Sequence, residues 1–137
     1  MRVVRLVLLT FLAFPLPAAA AAQEADIVVR GDVARHEVER ILDADNVDTS
    51  RLTADEVAET IAAIERGRAP EDFWAAYHAH VRAWQRLAEA EARLLRQPAR
   101  IEQAEQAIEA TFDEVERIAR SYGARLPTPP GAVAPTV

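Results

Sequence analysis

Residues 70–84 read Pro70-Glu71-Asp72-Phe73-Trp74-Ala75-Ala76-Tyr77-His78-Ala79-His80-Val81-Arg82-Ala83-Trp84, and their order decides the fold class. Pro70 supplies the fixed φ that suits a first helical turn, and Glu71 and Asp72 set negative charge against the positive end of the dipole. At about 100° per residue, Phe73, Tyr77, His80, Trp84 and Ala88 share one face, with Trp74, His78 and Val81 towards its shoulder. A helix with so wide an apolar surface touches two neighbours and belongs at the centre of a bundle. The pattern predicts that it continues to about Arg96.

Towards the C-terminus, Pro98 cannot continue that helix and predicts a tight turn rather than a kink. A further helix is then expected from Ala99 to Tyr122, stopping at Gly123. Its apolar positions recur every seventh residue, at Ile101, Ile108, Val115 and Tyr122, with Ala104, Thr111 and Ile118 between them. That heptad pattern suits the seam of an antiparallel hairpin, each arm roughly 35–40 Å long. From Ala124 the chain carries Pro127, Pro129, Pro130, Gly131 and Pro135, so residues 124–137 are expected to be a disordered tail.

Towards the N-terminus, Thr53-Ala54-Asp55-Glu56 is a capping box, with Leu52 and Val57 placed as a hydrophobic staple around it. The stripe Val57, Ile61, Ile64 follows, and Gly67 is the expected stop, where positive φ is tolerated. A first helix is predicted over Val33–Leu42 with Asp32 as its N-cap and Ala34, Val38, Ile41 and Leu42 on its inner side. Residues 23–31 contain the β-branched run Ile27-Val28-Val29 and read as an extended leader, too isolated to form a sheet.

Residues 1–22 have the layout of a secretory signal peptide: Arg2 and Arg5, then the apolar stretch Leu6–Leu16, then Ala18–Ala22. The apolar stretch is about half the 20 residues needed to span a bilayer, which excludes an anchor. Cleavage after Ala22 predicts Gln23 as the mature start, an exported protein that is periplasmic or extracellular, and no membrane span in the mature chain. The fold expected for residues 32–123 is an all-α bundle of about four helices, two short ones covering a long antiparallel hairpin. Its predicted core is Val38, Ile41, Val57, Ile61, Phe73, Tyr77, Val81, Trp84, Ile108, Phe112, Val115 and Ile118.

All sixteen basic residues are arginine, against 22 carboxylates, giving a net charge of −6. Loss of Arg2 and Arg5 with the signal takes the mature chain to −8. A chain this acidic gains nothing from neutralising phosphates, which argues against nucleic acid and anionic lipid. The absence of cysteine means that packing alone must stabilise the fold in an oxidising compartment, and it removes haem attachment and thiol chemistry. The mature serines are only Ser50 and Ser121, and there is no lysine amine, so no catalytic residue is assigned.

Two metal-site patterns fail on geometry. His78 and His80 on a helix point about 160° apart and cannot grip one ion. The acidic stretch Asp43–Asp48 before Glu56 imitates a calcium loop, but Val47 and Ala54 or Asp48 fall where oxygen ligands or glycine are needed in either register. No metal and no cofactor is therefore expected. The functional reading is a non-catalytic protein acting by association with a protein partner or with itself. The alternative is a small-ligand or metal carrier using the aromatic face of the central helix: Trp74, Tyr77, His80 and Trp84, with His80 as polar handle.

Overall fold

The computed structural model describes residues 18–95 and 97–130, with side chains from residue 30 onward. The chain is all-α, with no strand among the described residues. Helix α1 spans Ala18–Asp45, a single 3₁₀ turn covers Thr49–Arg51, and α2 (Ala54–Ala62), α3 (Glu71–Ala92) and α4 (Pro98–Ser121) follow. No helix among the described residues is long and apolar enough to cross a membrane. The charged and apolar parts of the expected signal peptide, residues 1–17, lie outside the described residues.

The hairpin forms as its punctuation dictates. Pro98 occupies the first turn of α4, and the Gln97 carbonyl accepts from the amides of Arg100 and Ile101. Tyr122 is the C-cap and Gly123 follows in the left-handed region at φ 69°, the position where a Cβ would be strained. Asp72 meets Tyr122, His80 meets Thr111, and Leu87 clusters with Ala104, so the two helices run antiparallel. α3 also packs on α2, which is why its apolar surface is wide. The capping box of α2 is complete: Thr53 Oγ1 accepts from the Glu56 amide and Glu56 accepts from the Thr53 amide.

Phe73, Tyr77 and Val81 of α3 pack with Val38, Ile41 and Leu42 of α1, Val57 and Ile61 of α2, and Val115, Ile118 and Ala119 of α4. Each large apolar side chain so buried contributes about 1.5–3 kcal/mol. A smaller cluster of Ala54, Leu87 and Ala104 fills the end near the α3–α4 turn.

Four expectations are corrected. Residues 23–31 are helical rather than extended, and Asp32 lies inside α1, where its carbonyl accepts from His36 Nδ1. The alanine-rich start favours helix strongly enough to carry it through Ile27-Val28-Val29 and Gly31, whose costs are below about 1 kcal/mol each. α2 ends at Ala62, and Gly67 takes its positive φ, 57°, in the following loop instead. A Cβ there would sit 2.5 Å from Glu37 Oε2, so the loop needs glycine for space as well as for φ. α3 ends at Ala92 rather than Arg96, and Pro70 is its N-cap. Residues 124–130 are not a free tail. Ala124 is buried, Glu39 accepts from the Arg125 amide, and Asn46 Nδ2 donates to the Thr128 carbonyl, so this strap runs along the second half of α1. Residues 131–137 lie outside the described residues.

Nine of the twelve predicted core residues are buried, but Trp84, Ile108 and Phe112 are only partly covered. Leu52, placed as the staple to Val57, stays at the surface.

Candidate functional site

Trp84, Ile108 and Phe112 remain partly covered because they line a cleft of about 260 Å³. Its other walls are Leu42 and Val47 from the end of α1 and the loop after it, Val57 and Ile61 from α2, and Pro127 from the strap. The polar groups on it are Asp45, Asn46, Thr49, His80 and Glu109. Both charged residues of the lining, Asp45 and Glu109, are acidic, and no arginine lines it.

His80 is 4% exposed and fully engaged. Its Nε2 accepts the indole N–H of Trp84 at 3.2 Å. Its Nδ1 lies 3.1 Å from Thr111 Oγ1, and that hydroxyl donates its own proton to the Ala107 carbonyl at 2.7 Å. Nδ1 must therefore carry the hydrogen, and the ring is neutral. Burial pushes its pKa down to about 4, with the Ile108 carbonyl opposing. Both ring nitrogens are thus engaged within the fold, one by Trp84 and the other by Thr111, whereas the alternative carrier reading makes His80 the polar handle.

The other expected residues divide between two sides of α3. Trp84 is on the cleft with His80. Trp74 stacks on Tyr77 at 5.5 Å and meets His78 edge-to-face at 4.6 Å, lining a separate hollow of about 110 Å³ against Ile61 of α2 and Ile64 of the loop after it. Tyr77 is buried between them, and its ring does not line the cleft. Trp74, Tyr77, His80 and Trp84 thus do not form one groove. Among the described residues no group of three histidines or carboxylates gathers to hold a metal ion.

The group that reaches the cleft through Tyr77 is Asp45. The Tyr77 hydroxyl lies 3.1 Å from Asp45 Oδ1 and 3.0 Å from the Ile61 carbonyl. A phenol has one proton for these two acceptors. All three groups are satisfied when Asp45 is protonated and donates to the tyrosine oxygen, which then donates to Ile61. Burial accordingly pushes the Asp45 carboxyl up to about 6, with the Tyr77 hydrogen bond acting the other way. Burial first, and then the charge of Asp45, push the Tyr77 phenol up as well.

Sequence reasoning placed Asp45 in an acidic loop. The signal that it belongs to the core face was present: Val38, Ile41, Leu42 and Asp45 follow the i, i+3, i+4, i+7 spacing of one helical stripe. It becomes visible only once α1 is known to extend to Asp45 rather than end at Leu42.

What the arrangement can do chemically is bind. An apolar wall of aromatic and branched side chains removes water from a hydrocarbon body, and one partly desolvated carboxylate receives a donor or a positive charge. The serines are at helix edges, Ser50 bonded to Asp48 and Ser121 to the Ile118 carbonyl, and neither lines the cleft. No protein-family model, curated protein or solved structure matches this chain.

Proposed function

We propose that the protein is exported and non-catalytic, and that its cleft binds a small molecule with an apolar body and an amine at one end. The observation that carries this reading is the position of Asp45: a single partly buried carboxylate, held by Tyr77, on a cleft whose remaining walls are mainly Trp84, Ile108, Phe112, Val57 and Leu42. An amine paired with Asp45 stabilises the ionised carboxylate, which burial otherwise disfavours. Glu109 at the rim adds attraction of the same sign. Export rests on the Arg2/Arg5, Leu6–Leu16, Ala18–Ala22 order.

Calorimetric titration with 4-phenylbutylamine and with 4-phenylbutanoate tests the reading. Heat of binding with the amine and none with the acid is the expected result. Equal binding of both, or of neither, counts against it.

A second reading, action by association with a protein partner or another copy, is favoured by Leu94 and Leu95, which are 104% and 83% exposed at the α3–α4 turn.

A further inference from the structure

The α3–α4 turn is unlike the rest of the surface. Residues 93–100, Arg-Leu-Leu-Arg-Gln-Pro-Ala-Arg, hold three arginines and no carboxylate in a chain of net charge −6. Turns call for glycine, asparagine, aspartate or serine, so nothing in the connection itself requires two leucines at its tip. Single exposed apolar residues are ordinary; an adjacent pair projecting fully into solvent is a patch that marks an interaction site.

A complementary surface lies on the same molecule. Between α2 and α3 is a hollow of about 400 Å³ with a floor of Ala58, Ala62, Ala88 and Ala92 and a rim of Asp55, Glu59 and Glu89. Among the described residues none of these three carboxylates has an ion-pair partner, and neither have Arg93 and Arg100. Arg93 and Arg100 thus stand beside the exposed leucines, while Asp55, Glu59 and Glu89 rim the alanine floor, so the two patches are of opposite sign.

We propose that the occupant of the hollow is the turn of a second copy of this chain. Leu94 and Leu95 of one copy cover the alanine floor of the other, and Arg93 and Arg100 meet Asp55, Glu59 and Glu89. The proposal rests on the association reading above and gives it a partner and a surface. Ala92 ends the floor and Arg93 begins the turn, so the two patches abut. That adjacency suits a two-fold pairing in which each turn occupies the other copy's hollow, a closed dimer rather than an open chain. The patch is small beside the roughly 1,200–2,000 Å² of a stable interface, so the dimer is weak and concentration-dependent even with both halves engaged.

Sedimentation velocity over about a hundredfold concentration range tests it. The expected result is a monomer–dimer equilibrium that shifts towards monomer as salt is raised. L94S/L95S weakens it by at least about tenfold while thermal unfolding is unchanged, because both side chains are exposed. E59R weakens it too, and adding R93E to E59R recovers part of the loss. A monomer throughout the range overturns the proposal. Self-association untouched by L94S/L95S also overturns it, while leaving the association reading on a different surface. Dependence on the leucines with indifference to E59R and to salt removes the acidic hollow as the acceptor and likewise overturns it.

Discussion

Trp84 donates its indole N–H to Nε2 of His80 across 3.2 Å, one turn further along the same helix. The bond fixes the imidazole as the neutral Nδ1–H form, and Thr111 on α4 receives that hydrogen at 3.1 Å. A protonated Nε2 would face a donor instead of an acceptor, so the pair resists acid until the packing gives way. His80 therefore ties α3 to α4 beside the cleft rather than serving what enters it.

The pH dependence of stability follows from His80 and Asp45 together. His80 is held at about 4 in the fold against 6.5 ordinarily, so the unfolded chain takes up a proton that the fold refuses. Its contribution is present above 6.5 and lost as pH falls through about 4, a loss of about 3 kcal/mol. Asp45 acts oppositely. Its folded value of about 6 against 3.8 makes the fold hold a proton the unfolded chain releases, so its contribution is present below 3.8 and lost as pH rises through about 6. The two slopes overlap and partly cancel between pH 4 and 6. Glu39, Glu56 and Glu114, all held below 4.5, add their losses only beneath that value. Urea unfolding across this window is expected to show a shallow profile for the wild type.

Each variant should expose the other residue's slope. In Asp45→Asn the amide donates to Tyr77 at every pH, so the protein gains about 1–3 kcal/mol at pH 7 and loses stability on acidification from 6.5 towards 4. In His80→Phe the profile reverses, with stability rising as pH falls from 6 towards 4. A D45N profile parallel to that of the wild type would mean that Asp45 is solvated and ionised like a surface carboxylate.

Trp84 separates packing from hydrogen bonding. Trp84→Phe keeps most of the apolar contact but leaves His80 Nε2 without its donor, and is expected to cost about 1–2 kcal/mol. Trp84→Ala removes cleft wall as well and should cost about 2–4 kcal/mol, below the full cost for a completely buried tryptophan. Chemical denaturation of the two variants measures both, and equal effects would mean that the indole N–H contributes nothing.

Thr53→Ala removes the hydroxyl that accepts the Glu56 amide and breaks the capping box of α2. The expected cost is about 1 kcal/mol in the unfolding midpoint, read by circular dichroism.

These residues also show how far the sequence could be read. The capping box, the turn at Pro98 and the stop at Gly123 were legible because each depends on a few neighbouring residues. The apolar stripes gave the inward side of every helix, but a stripe cannot show whether facing side chains meet. Trp84, Ile108 and Phe112 point inward as their spacing requires, yet border a cleft instead of closing it. The strap was illegible because its proline content says only that it is not helical; its place depends on Glu39 and Asn46, more than eighty residues away. Asp45 was hidden by a helix boundary three residues too early.

The most direct test of the cleft reads Trp84 itself. In a Trp74→Phe background Trp84 is the only tryptophan left, and it lines the cleft beside Asp45. Its fluorescence is followed at pH 7 as 4-phenylbutylamine is added, and the titration is repeated with Asp45→Asn. The account predicts a saturable change in emission with the amine, weakened at least about tenfold by D45N, the loss expected when a charge pair of about 1.4 kcal/mol or more is removed. No saturable change, or a change of equal affinity in D45N, would contradict it.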